Sequence, residues 1–242
     1  MRSAALGLLL IVAGCSSQAT DIYHDPTFTQ ESLATGGLAV VGVVALAGED
    51  DDGIRAIESE LVHRALREER PKLRSVAPRD IWIALGLDSA AHLLDRYRMS
   101  GRLSPADIDT LHYARSLARY GLLARIDLDV VVRDHELSEE ELAGRTTYLV
   151  EPIVKRELGV TFDIVDFDDG RTLWSLALRR VDQERGDPIR HEPLQSQVTE
   201  SDLVNAIRDI LAREEGPPPP SRQEGLARLY RDFVRRLPGA RS

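Results

Sequence analysis

The chain has 242 residues, with 31 Lys and Arg against 40 Asp and Glu, so its formal net charge at pH 7 is −9. An acidic balance of this size argues against nucleic acid as a partner, because a phosphate backbone is held by surplus Lys and Arg. The length allows one well-cored domain with extensions, and a single cysteine excludes any intramolecular disulfide.

That cysteine, Cys15, follows an apolar run. Arg2 supplies a minimal positive start, Ala4 to Val12 are apolar apart from Gly7, and Ala13 and Gly14 are small. The run is shorter than the about 20 residues that span a bilayer. Val12, Ala13, Gly14 and Cys15 resemble the lipobox of bacterial lipoproteins. The resemblance implies cleavage before Cys15, a lipid on its sulfur and acylation of the new amino group, which together anchor far more firmly than one chain. The alternative is an ordinary cleaved signal with an incidental cysteine. Cleavage removes 14 residues with one basic residue, Arg2, and no acidic one, so the formal charge moves from −9 to −10. Ser16, rather than aspartate, follows the anchor, which favours the outer membrane, facing the periplasm, over retention at the inner one.

Residues 15–37 read as a lipidated N-terminus and flexible tether, rich in Ser, Thr, Gln and Asp, with a fully stretched reach of about 80 Å to Leu38. The domain then opens with a Val-rich run, Leu38 to Leu46, expected as a strand buried on both faces. In "EDDDG" the carboxylates lack the alternation of a calcium loop, and Asp51 and Asp52 read as caps for the next helix. That helix, Ile54 to about Glu69, is expected to bury Ile54, Ile57, Leu61, Ala65 and Leu66. Pro78, Gly86, Asp88, Gly101 and Ser104-Pro105 punctuate three short helices.

From Leu122 the period changes to 2. Leu122, Ala124, Ile126, Leu128, Val130 and Val132 alternate with Arg125, Asp127 and Asp129, the pattern of a strand with one wet face. A charged loop, "RDHELSEEELAG", is expected before the chain returns over Thr146 to Phe167, broken near Pro152. Asp169-Gly170 is a hairpin turn signal, and its partner strand carries Trp174, Leu176 and Leu178 on one face.

The order of these elements, with "ARYGLLARIDLDVVV" and "VTFDIVDFDDGRTLWSLAL", resembles the periplasmic α/β domain of the penicillin-binding-protein activator lipoproteins, the curli secretion channel lipoprotein and the N-terminal domain of the Tol-Pal translocation protein. It covers roughly residues 38–213 and includes the turn motif Asp169, Gly170 and Trp174. The resemblance implies an α/β fold, a mixed β-sheet of about four to five strands with helices packed on it. It supplies no catalytic residues. Trp174 reads as a core aromatic. The charged segment 133–145 lacks the apolar side of a membrane hairpin, so no pore is expected, and activation of a peptidoglycan synthase would ask a short tether to reach across the cell wall.

A further helix is expected around Leu203, Ile207, Ile210 and Leu211, then a Pro-rich linker, 214–221. Ser221-x-x-Glu224 opens an amphipathic helix, 222–242. Arg222, Arg228, Arg231, Arg235, Arg236 and Arg241 outnumber Glu224 and Asp232 there, so this tail is basic on an acidic protein. Two readings stand. Its apolar stripe packs on the domain with the arginines outward, or the helix engages a partner groove or an anionic membrane through Leu226, Leu229, Tyr230, Phe233, Arg228, Arg231 and Arg235.

No Gly-x-Ser-x-Gly elbow, His-Glu-x-x-His helix or P-loop occurs. His135-Glu136 and His191-Glu192 are isolated pairs. The expectation is a lipid-anchored envelope protein that binds rather than catalyses, using no metal or cofactor and meeting an envelope protein partner; a cell-wall hydrolase is the enzymatic alternative.

Overall fold

The computed structural model describes residues 17–46, 50–142, 145–191 and 216–239. The signal segment, Cys15 and the helix expected at 203–211 lie outside the described residues. One mixed sheet contains β1 (Gln18–His24), β2 (Leu38–Ala45), β3 (Ser75–Val76), β4 (Tyr120–Leu142), β5 (Arg145–Asp166), β6 (Thr172–Arg185) and β7 (Ile189–His191). Its order is β1-β6-β5-β4-β2-β3 with β7 beside β5, so there are seven strands rather than four or five. The pairings of β2 with β3 and with β4 are parallel, and the other pairings among the described residues are antiparallel. The described helices are α1 (Gln30–Gly36), α2 (Asp52–Glu69), α3 (Pro78–Leu85), α4 (Leu87–Ser100), α5 (Pro105–Leu111) and α6 (Arg222–Arg236).

All eight residues of β2 are buried, as a Val-rich run between two helical layers must be. A bulge between Val40 and Gly42 exchanges its faces. Val40 and Val43 therefore meet the core under α2 and α6, while Val41 and Val44 meet that under α3, α4 and α5. Beyond the two residues of β3, side chains close the outer edge of β2. Trp82 Nε1 donates to the Val41 carbonyl at 2.7 Å, Ser59 Oγ accepts from the Val43 amide at 2.9 Å, Asp50 accepts from the Ala45 amide at 2.9 Å, and Arg98 Nε donates to the Ala45 carbonyl at 2.9 Å. The strand keeps its backbone satisfied without a full neighbour.

This edge-closing duty rotates α2. Asp51 caps it, accepting from the Ile54 amide at 2.8 Å, but the inward face carries Arg55, Glu58, Ser59, Val62 and His63 with Ala65 and Leu66. Ile57, expected inside, is 55% exposed.

Four further expectations are corrected. Residues 18–24 and 30–36 are no tether: β1 pairs antiparallel with β6, and Thr29 caps α1. The segment 133–142 is no loop, because it pairs residue by residue with 145–154 as a long antiparallel ribbon. Opposite charges meet across it, Lys155 with Asp134 at 2.9 Å and Arg185 with Glu136 and Glu151 at 2.7 and 2.9 Å. Pro152 does not break β5, since it falls where the neighbouring ladder is interrupted, between the end of β6 opposite Ile153 and the start of β7 opposite Val150. Finally, α6 belongs to the main core, so the domain extends on both sides of residues 38–213.

Candidate functional site

The apolar stripe of α6 forms as its 3.6-residue period demands. Ser221 caps it, accepting from the Glu224 amide at 3.3 Å. The Glu224 carboxylate, expected to close the reciprocal half of a capping box, lies instead 3.6 Å from Arg228. Leu226, Leu229, Tyr230 and Phe233, nominated as partner-binding residues, are fully enclosed. Phe233 stacks on Phe162 with centroids 4.2 Å apart and on Trp174 at 5.5 Å, and Tyr230 meets Phe162 edge-on at 6.1 Å. Trp174 is the core aromatic expected of it. These four side chains hold the domain together and offer nothing to a partner groove.

Polar groups fix the helix in place. Tyr230 Oη donates to Glu58 at 3.0 Å, and Arg222 reaches Glu58 at 2.5 Å and Asp129 at 2.9 Å. Burial first, and then the Glu58 charge, push the Tyr230 hydroxyl well above its ordinary range, so it remains a donor. Asp129 faces α6 only because of a bulge between Ile126 and Leu128. Before the bulge Leu122, Ala124 and Ile126 point under α2 and α6. Beyond it Leu128, Val130 and Val132 pair with Gly159, Glu157 and Lys155 on the opposite face, and Val130 and Val132 are half-exposed. The continuous alternation read from sequence thus changes sides at Asp127, which accepts from Thr161 Oγ1 and Arg125 Nε at 2.5 Å each.

The outward side of α6 is where the chemistry gathers. A cavity of about 420 Å³ is lined by Ser17, Arg180, Arg228, Arg231, Asp232, Arg235 and Arg236. Arg180, buried under the helix, is held by Asp182 at 2.7 to 2.9 Å. Arg228 lies 3.3 Å from Asp182, and Arg235 donates to Glu69 at 2.7 and 2.9 Å. Those Arg235 hydrogen bonds hold the Glu69 carboxyl below the usual carboxylate range. Arg231 and Arg236 are exposed and have no ion pair among the described residues. The nominated Arg228, Arg231 and Arg235 therefore share one surface, to which the structure adds Arg236 and Arg180. Arg180 and Asp182 were readable as polar residues on the inward phase of β6, beside Leu176 and Leu178.

The N-terminal segment arrives at this surface. Ser17 Oγ donates to Asp232 Oδ2 at 2.8 Å, across 215 positions of chain. Ser17 is two residues after Cys15, a distance the extended backbone covers in about 7 Å. A face with several guanidinium groups and too few carboxylates can hold multiple phosphate or carboxylate oxygens, because each guanidinium presents paired donors.

Among the described residues no three His, Cys, Asp or Glu side chains gather as a metal site. His135 lies on the exposed ribbon and His191 in β7, and no helix there is long and apolar enough to cross a membrane.

No protein-family model and no curated relative matches the chain. Solved structures to which it is similar include the PelC dodecamer from Paraburkholderia phytofirmans, at 18% identity over 69% of this chain and 81% of that one, TM-score 0.35. Another is lipoprotein GNA1162 from Neisseria meningitidis, at 13% identity over 74% of this chain and 99% of that one, TM-score 0.27. A third is the LpoB C-terminal domain from Salmonella enterica, at 14% identity over 68% and 88%, TM-score 0.30. The likeness is partial, and the function proposed next is argued from this chain alone.

Proposed function

We propose that the protein is a lipid-anchored module of the bacterial envelope that acts by binding, with Cys15 as its anchor and the arginine face of α6 laid against the anionic membrane surface. The observation that carries this reading is the Ser17–Asp232 hydrogen bond, which brings the chain, two residues after Cys15, to a surface carrying Arg180, Arg228, Arg231, Arg235 and Arg236. Each arginine near an anionic leaflet contributes about 1 kcal/mol of attraction, provided it lies within a Debye length of about 8 Å. A leash of two residues keeps Arg231 and Arg236 in that range. The reading places the module at the outer membrane, facing the periplasm, where it would present its remaining surface to an envelope partner.

Two measurements test it. The chain expressed in a Gram-negative cell with labelled palmitate should carry the label in the outer-membrane fraction, and Cys15→Ser should lose it. The Cys15→Ser chain should still float with vesicles containing phosphatidylglycerol, and Arg231→Glu with Arg236→Glu should weaken that association about tenfold or more. Label on the Cys15→Ser chain would remove the anchor, and equal flotation with purely zwitterionic vesicles would remove the arginine face.

A further inference from the structure

Some of the side chains that close the outer edge of β2 also wall a separate cavity. It has a volume of about 250 Å³ and lies between α2, α3 and α4, with Trp82, Leu87, Ala90, Ala91 and Leu94 as an apolar wall and Arg55 and Asp52 as a polar corner. A dry apolar cavity of about 150 Å³ takes up benzene. This one therefore has room for a six-membered ring and a short substituent. The indole of Trp82, held by its 2.7 Å bond to the Val41 carbonyl, offers that ring a fixed aromatic surface.

Arg55 is the built part of the corner. It is only 6% exposed, and three of its five N–H groups are committed: Nε donates to Asp50 at 3.0 Å, and Nη2 donates to Asp50 and to Asp95 at 2.5 and 2.6 Å. Nη1 makes no hydrogen bond among the described residues and is not sealed from solvent; Asp52 Oδ1, on the same cavity wall, lies 3.8 Å from it. That separation is too long for a direct hydrogen bond and short enough for one oxygen to bridge, accepting from Nη1 and donating to Asp52. A hydroxyl does both, whereas a carboxylate only accepts and an ammonium only donates. Charge supports the same choice. The carboxylates of Asp50, Asp52 and Asp95 outnumber the guanidiniums of Arg55 and Arg98 around them, which opposes an anion, and the Arg55 guanidinium at the corner opposes a cation.

We propose that this cavity binds a small uncharged aromatic alcohol, its ring against Trp82 and its hydroxyl between Arg55 Nη1 and Asp52. The site is independent of the membrane reading of α6.

The test is titration of the Cys15→Ser chain, without detergent that would compete for an apolar cavity, using benzyl alcohol, toluene, benzoate and benzylamine as probes. Binding is followed by tryptophan emission excited beyond the absorption of the probes. Benzyl alcohol should bind saturably, about threefold or more tighter than benzoate or benzylamine. Asp52→Ala should weaken benzyl alcohol about threefold or more and leave toluene unchanged. Ala91→Leu, which fills the cavity from a half-buried position, should abolish binding of both, and Arg231→Gln, on the α6 face, should bind as the parent does. Absence of saturable binding, or undiminished binding by Ala91→Leu, overturns the site; equal or tighter binding of benzoate or benzylamine, or an equal loss of toluene in Asp52→Ala, overturns the hydroxyl.

Discussion

Truncating Phe233 to alanine separates a helix that belongs to the core from one merely resting on it. Phe233 is fully enclosed, its ring nearly parallel to Phe162 at 4.2 Å and close to parallel with Trp174 at 5.5 Å. Removing a buried phenylalanine side chain costs about 3–5 kcal/mol through lost burial and the cavity left behind. Two stacked neighbours place this one at the upper end, since aromatic pairs contribute about 0.5–1.5 kcal/mol beyond their area. A domain of this size changes its midpoint by about 2–4 °C per kcal/mol, so a cost of about 5 kcal/mol should make Phe233→Ala melt about 10–20 °C below the parent. Arg231→Ala, on the exposed side of the same helix, should stay within about 0.5 kcal/mol. Far-UV circular dichroism melts of the full chain in one detergent compare the two directly. If Phe233→Ala melts within about 2 °C of Arg231→Ala, α6 lies outside the cooperative unit and its apolar stripe is free to serve a partner.

Other perturbations probe the buried charges and one close approach. Burial raises the Asp163 carboxyl above its ordinary value, opposed by hydrogen bonds from Ser175 and Tyr97. A raised folded-state pKa favours the protonated form, so its stabilising contribution is complete below 3.8 and is lost as pH rises through the folded value. Asp163→Asn should therefore gain in midpoint over the parent more at about pH 7.5 than at about pH 4; an equal difference at both refutes the assignment. For Asp50, burial works against ionisation, but hydrogen bonds from Arg55 and the Ala45 amide, with the Arg55 and Arg98 charges, outweigh it and lower the carboxyl. Its contribution is present above 3.8 and lost as pH falls through the lowered value. Asp50→Asn at neutral pH takes from buried Arg55 one of its two close carboxylates, leaving Asp95 at 2.6 Å, and should cost about 1.5–3 kcal/mol in urea denaturation; a loss below about 0.5 kcal/mol refutes the pairing. A Cβ at Gly121 would sit 2.2 Å from Phe167 and 2.9 Å from Val41, so Gly121→Ala should lose about 1–3 kcal/mol, and a neutral outcome in the same assay would show the strands less tightly packed.

What could be read from the sequence depended on whether the deciding partner was local. The Val-rich strand, the Asp51 cap and the Asp169-Gly170 turn were legible, because their causes lie within a few residues; Gly170 takes φ +67, and its amide bonds Asp166 at 2.8 Å. β1 was not, since its seven residues are all exposed and show no period. It exists by pairing with Arg179 to Trp174, some 150 residues away. The ribbon was missed for a related reason: Lys155–Asp134 and Arg185–Glu136 are ion pairs only once the register is set, and in sequence they are merely charges. The bulge at Asp127 leaves no mark on an alternating pattern, although it decides that Asp129, rather than Val130, meets Arg222. Of the candidate site, the arginines of α6 were legible from their spacing. Their relation to Ser17 was not, because only the docking of β1 brings the chain's beginning to its end.

That docking changes what an anchor at Cys15 would mean. A free segment reaching to Leu38 would let the domain drift tens of ångströms from its lipid, beyond the range at which surface charges are felt through salt. With Ser17 held to Asp232 at 2.8 Å, a lipid on Cys15 would sit two residues from the folded body, and the molecule would stand on the membrane. The formal charge of −10 left after cleavage before Cys15 would oppose that arrangement on an anionic leaflet in most orientations. An anchor at Cys15 would turn the face carrying Arg231 and Arg236 downward, so that covalent attachment and electrostatics would select the same pose. The same geometry weighs against any role that requires reaching a distant enzyme across the cell wall, because the length once available for reaching is spent on β1 and α1. A partner would have to come to the surface left facing away if the membrane covers α6.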